Sequence, residues 1–254
     1  MKTCSLDTSP QQVARLSGAL YLAIILLGVF SEGFVMSKLL VSGDAAATAR
    51  NILAAPLLWR VAVAANVVLV LCAVPLLWIE YLLLRPVSKS LVLLAALLNL
   101  VSLSVEAVSK VFMLLVMPTL ESSQHTPAMG APQVAVLANL VLKAHGISFN
   151  VALLFFGGTC LVNGYLIFKS GYFPKAIGVL MQVAGGSYLV ACFAALFAPA
   201  LANVLLPALL LLPFIGELSF CLWLLVKGVD SAGWKTQADR AQELRVGSPQ
   251  LSPA

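Results

Sequence analysis

LVLLAALLNLVSLSVEAVSKVFMLLVM, running from Leu91 to Met117, is apolar along its whole length apart from Asn99, three serines and one acid–base pair, Glu106 and Lys110. A helix needs about 20 apolar residues to cross the hydrocarbon core of a bilayer, and this stretch exceeds that length. It reads as a transmembrane helix. A charge near the bilayer centre costs about 2.5–3.5 kcal/mol even on lenient insertion scales, so Glu106 and Lys110 must face protein or water. Their i, i+4 spacing with the acid first is the favourable order for a pair on one helix.

Five further stretches qualify on the same criterion, so the expected spans cover residues 16–40, 59–83, 91–117, 146–168, 176–198 and 203–226. The composition agrees: 61% of residues are hydrophobic and 10% charged, against about 25% charged in soluble domains. Mean hydropathy is +1.01. The predicted fold is therefore all-α, a polytopic helical bundle of six transmembrane helices. It divides into a tail over 1–14, a membrane domain over 15–229, and a polar tail over 230–254 expected to lose order after Trp234.

Lys and Arg distribute unevenly between the two sides. The N-terminal flank, the turn Arg85-Pro86-Val87-Ser88-Lys89, the turn Lys169-Ser170-Gly171-Tyr172-Phe173-Pro174-Lys175 and the C-terminal tail carry most of them, while the other side holds Lys38, Arg50, Arg60 and Lys143. The positive-inside rule then places both termini in the cytoplasm, which an even number of spans requires. A net charge of +5 suggests no nucleic acid, because the basic residues border spans and form no patch with interleaved aromatics. Cys72, Cys160, Cys192 and Cys221 lie within spans as small buried hydrophobes, and no disulfide framework follows. The first span lacks a cleavage site and is expected to be retained.

Two outer connections have distinct character. Ser42-Gly43-Asp44 precedes the alanine-rich Ala45–Leu53, so Asp44 is expected to cap a short interfacial helix. The loop Pro118–Pro132 is expected to be irregular. Trp59, Trp78 and Trp223 fit an aromatic belt, and Glu80 beside Tyr81 reads as interfacial.

Depth along the helices, at about 1.5 Å per residue, puts Glu32, Arg60, Glu106, Lys110 and His145 in the outer half, with Glu217 near the middle of the last span. These six residues form the candidate polar pocket. Glu106 and Lys110 can satisfy each other; Glu32 and Glu217 need a proton or a partner from another helix, and Arg60 and His145 are the expected donors. Structural packing and function weigh about equally for the two glutamates. No assignable catalytic residue, cofactor or metal site emerges, since only two histidines exist and one, His125, lies in a loop.

The chain resembles the bacterial multi-pass membrane proteins grouped as domain of unknown function 4386. The likeness runs from about Arg15 to Val229. Ser31-Glu32-Gly33-Phe34, Gly43-Asp44-Ala45-Ala46-Ala47-Thr48-Ala49 with Asn51-Ile52-Leu53, and His145-Gly146 carry its first part. Gly164-Tyr165-Leu166, Ser170-Gly171-Tyr172-Phe173-Pro174, and Glu217-Leu218 with Trp223–Gly228 carry the rest. The resemblance implies an integral membrane protein of the bacterial inner membrane and transfers no catalytic role. The family pattern has an acid at the position of Ala73 and an arginine at that of Asn99; losing both together is what a dispensable ion pair between spans two and three permits.

Three functions compete. A transporter or proton-coupled carrier would use Glu32 and Glu217 for proton exchange, with a homo-oligomer supplying the second half that a six-span chain without a clear repeat lacks. An intramembrane lipid-modifying enzyme would use Glu32, Glu217 and His145 as acid–base groups or metal ligands. A non-catalytic scaffold or regulator would need the polar residues only for packing. Transport is preferred to enzymology; beyond the lipid bilayer, the sequence names no ligand or partner.

Overall fold

The computed structural model describes residues 9–121 and 130–246, and among them the chain is helical without strands. Helix α1 covers Pro10–Leu39 and is π-helical over Val29–Met36. It is followed by α2 (Ala45–Ala54), α3 (Pro56–Leu84), α4 (Lys89–Glu121), α5 (Ala131–Ser170), α6 (Lys175–Phe197), α7 (Pro199–Val226) and α8 (Ser231–Val246). Helices α1, α3, α4, α5 and α6 are long and apolar enough to cross a membrane, and the 28 residues of α7 suffice for a sixth crossing. This is a polytopic membrane protein.

Local sequence explains the boundaries. Ser9 Oγ accepts from Gln12 N at 3.3 Å and Pro10 opens α1, while Asp44 Oδ1 accepts from Ala47 N at 2.8 Å and caps α2 as expected. Gly171 ends α5 with φ +76, a left-handed position that favours glycine. Helix α5 is 40 residues long and starts well before the expected span at 146. Its extra turns are amphipathic in context: Val134, Ala138 and Leu142 pack with Ile52, Trp59 and Met113 in a core at the outer end. The expected loop over Pro118–Pro132 is correspondingly shorter, because α4 continues through Pro118 to Glu121 and α5 starts at Ala131; its middle lies outside the described residues. Trp59 is also reassigned. It is 1% exposed, roofed by that core, and belongs to no belt.

The six crossing helices form a closed ring in the order α1, α3, α4, α5, α6, α7 and back to α1. Small residues permit the closest approaches. A Cβ on Gly178 would lie 2.6 Å from Phe168 N, one on Gly185 2.6 Å from Gly157 O, and one on Gly18 2.5 Å from Leu225 N. Without a hydrophobic driving force between helices in lipid, such backbone contact is a main source of association. Ser102 adds a hydrogen bond to Ala152 O at 2.8 Å, joining α4 to α5.

The first turn of α1 and the segment that follows α7 meet at the basic face. Gln11 Nε2 donates to Lys227 O at 2.8 Å, Gln11 Oε1 accepts from Val229 N at 3.0 Å, and Tyr172 of the second basic turn donates to Leu83 O at 2.8 Å. Burial pushes the Tyr172 phenol up, so it remains a donor at neutral pH. The C-terminal segment departs from expectation here. Instead of losing order after Trp234, residues 231–246 form α8, bent 101° from α7, and Trp234 Nε1 donates to Leu83 O at 3.0 Å. One indole anchors the whole turn, a contact invisible to composition.

Candidate functional site

A second apolar core, containing Tyr21, Leu83, Leu166, Phe220 and Leu224, closes the ring at the basic end. Between it and the outer core lies a cavity of about 610 Å³ to which all six crossing helices contribute. Its walls are chiefly aliphatic and aromatic. Four carboxylates interrupt them, each from a different helix: Glu32 on α1, Glu80 on α3, Glu106 on α4 and Glu217 on α7.

At the outer end, helix geometry gathers four of the predicted residues, Glu32, Glu106, Lys110 and His145. Lys110 Nζ stands 3.5 Å from both Glu32 Oε1 and Glu106 Oε1, and 4.4 Å from the Phe149 ring centroid. His145 Nε2 is 3.8 Å from Glu32 Oε1, and Nδ1 lies 3.1 Å from Ser109 O. The ring nitrogen facing a carbonyl is the protonated one, so Nδ1–H donates to Ser109 O. At these separations Lys110 bridges the two acids electrostatically without a short hydrogen bond to either. Lys110 is 3% exposed and Glu106 13%, so this is a desolvated cluster. Glu32 reaches it from the π-helical segment of α1, a conformation often associated with function, and just past that segment Ser37 Oγ donates back to Gly33 O at 2.6 Å.

Arg60 stands apart. It pairs with Glu121 at 3.5 Å on an exposed surface, with 66% of its side chain accessible, and does not reach Glu32 or Glu217 as expected. Its position in the first turn of α3 carries it past the end of the cavity. Lys110 takes the role foreseen for it at Glu32.

Glu217 also finds partners other than those expected. Tyr188 donates a short hydrogen bond to Oε1, and Tyr21 donates to Oε2 at 3.3 Å. Glu80, read from sequence as interfacial, turns inward, where Asn163 Nδ2 donates to Oε2 at 3.1 Å. Tyr21, Glu80, Asn163 and Tyr188 are thus site residues that sequence reasoning missed. A signal existed for Tyr21 alone: it lies eleven residues before Glu32, about three turns of a regular helix. Ala73 and Asn99 both line the same cavity. Among the described residues, no group of three His, Cys, Asp or Glu side chains is placed to hold a metal.

An uncharacterised protein of Archaeoglobus fulgidus is similar to this chain, with 27% identity over 99 residues, 37% of this chain and 57% of the relative. The chain thus spans just over half of that relative's length. No solved structure matches it. Residues 16–228, nearly the whole helical ring with its four inward-facing carboxylates, match the family described as "Domain of unknown function (DUF4386)", and the chain belongs to that family.

Proposed function

We propose that this protein is a proton-coupled carrier of the bacterial inner membrane, with the central cavity as its substrate and proton site. The carrying observation is the charge balance of that cavity: four carboxylates line it, while Lys110 and His145 approach only the Glu32 and Glu106 end. Intramembrane acids are costly to keep and commonly serve ion or proton pathways. A carboxylate that exchanges a proton for a cation couples the two movements at one atom. Glu217 and Glu80 are assigned that exchange, because their present partners are neutral hydroxyl and amide donors. Lys110 is assigned to hold α1 against α4, through Glu32 and Glu106. A cavity of about 610 Å³ falls within the range of small-molecule sites. The basic residues collected on one face support insertion with that face in the cytoplasm.

The test is proton flux in proteoliposomes containing a trapped pH dye, driven by a potassium diffusion potential. The proposal expects flux above that of protein-free liposomes and its loss in Glu217→Gln at equal reconstitution. Absence of flux from folded wild-type protein under every imposed gradient would count against it.

A further inference from the structure

The Glu80 and Glu217 end of the cavity is built from acceptors that lack a cation. The hydroxyls of Tyr188 and Tyr21 and the amide of Asn163 bond to the two carboxylates, but none brings positive charge. Among the described residues, no Lys, Arg or His side chain lines the cavity; Lys110 and His145 engage Glu32 and Glu106 from behind its wall at the other end.

A separate observation indicates which chemistry is missing. Asn99 is buried, at 8% exposure, and lines this cavity, yet its Oδ1 has no hydrogen-bond partner among the described residues. It sits with Glu80, Asn163 and Thr159 in a smaller pocket that branches from the same wall. An orphaned buried acceptor is expensive, and a ligand that carries N–H donors would satisfy it. Aromatic faces complete the surroundings: Phe156 and Tyr188 pack edge to face with centroids 5.6 Å apart, and both line the cavity with Tyr21. Ring faces attract cations, most strongly where water is excluded.

We propose that this end of the cavity binds an organic ammonium with an apolar body. Its N–H groups are directed to Glu80, Glu217 and Asn99 Oδ1, and its body lies along the aliphatic wall formed by Ile24, Ile25 and Leu153. The inference deepens the carrier reading and rests on it in treating the cavity as a ligand site. An inorganic cation would use the acids but leave the apolar volume unfilled. An ethanolamine lipid offers the same ammonium, though its phosphate would have to enter among carboxylates, which favours a free amine.

The experiment measures binding of 1-naphthylmethylammonium to the full chain in phosphatidylcholine nanodiscs, with 1-naphthylmethanol as the neutral isostere. The ammonium is expected to bind at least about tenfold more tightly than the alcohol, as one charge-assisted hydrogen bond contributes. Glu80→Gln, Glu217→Gln and Asn99→Leu should each remove most of that preference, read as the ratio of the two affinities in the same variant. Three independent variants keep the test decisive if one of them fails to fold. Equal binding of the two probes, a preference untouched by both glutamate variants, or displacement of the probe by sodium but not choline at equal ionic strength would overturn the proposal. Competition that appears only in ethanolamine-lipid nanodiscs would assign the site to a lipid headgroup and overturn the free-amine assignment. Selectivity for the ammonium without proton flux would leave this site standing and refute the carrier; flux without selectivity would do the reverse.

Discussion

Replacing Lys110 by Met is the sharpest perturbation of the outer cluster. Its Nζ lies 3.5 Å from each of two carboxylates, and at an effective dielectric of about 20 each separation corresponds to about 5 kcal/mol of gross attraction. Most of that offsets the cost of desolvating three charges, so the net worth of the cluster is small. Removing only the lysine is different, because it leaves Glu32 and Glu106 facing one another in a largely dry site. Loss of one member of a buried pair costs about 3–5 kcal/mol. His145, 3.8 Å from Glu32, remains as a partial partner and places the expectation near the lower bound, about 3 kcal/mol. Equilibrium unfolding by SDS titration in mixed micelles reads this directly. The triple variant Lys110→Met, Glu32→Gln, Glu106→Gln strands no charge and should return to within about 1 kcal/mol of wild type. A single variant that loses less than about 1 kcal/mol, or a triple variant no better than the single, would refute the reasoning.

Other variants test the remaining contacts. Gly185→Ala, whose Cβ would meet Gly157 O at 2.6 Å, should lose about 1–3 kcal/mol by overpacking, whereas Gly186→Ala, with open space around it, should be neutral in the same titration. Trp234→Phe removes the indole donor to Leu83 O and should release α8, seen as faster amide exchange over 231–243 with the ring unchanged. Arg60→Ala should alter stability by less than about 1 kcal/mol and leave proton flux intact, since its pair with Glu121 is exposed. Flux lost in Arg60→Ala at normal abundance would return that residue to the site.

The parts of the fold that a bilayer dictates were readable in the chain. Hydrophobic length located the crossings, basic turns such as Arg85–Lys89 marked the breaks between them, and Asp44 announced α2 through ordinary capping chemistry. What escaped were the rotational settings of the helices. In a membrane both the lipid face and the packed face are apolar, so Leu76 against the core and Leu71 toward lipid look alike in sequence. For that reason Glu80 read as interfacial until Asn163 was seen to hold it inward, and Arg60 read as a partner although its side chain points away. Tyr21 and Tyr188 escaped for another reason. Tyrosine in a span is unremarkable alone, and only the folded ring brings two hydroxyls from α1 and α6 to one carboxylate of α7.

The central claim is that carboxylates at one end of the cavity hold either a proton or a cation. Its most direct test counts protons during binding, by adding 1-naphthylmethylammonium to the full chain in weakly buffered nanodisc solution with a pH indicator. Proton release is expected to track occupancy, to be absent with 1-naphthylmethanol, and to disappear in the double variant Glu217→Gln with Glu80→Gln. Saturable ammonium binding with no released proton, or the same release in the double variant, would contradict it.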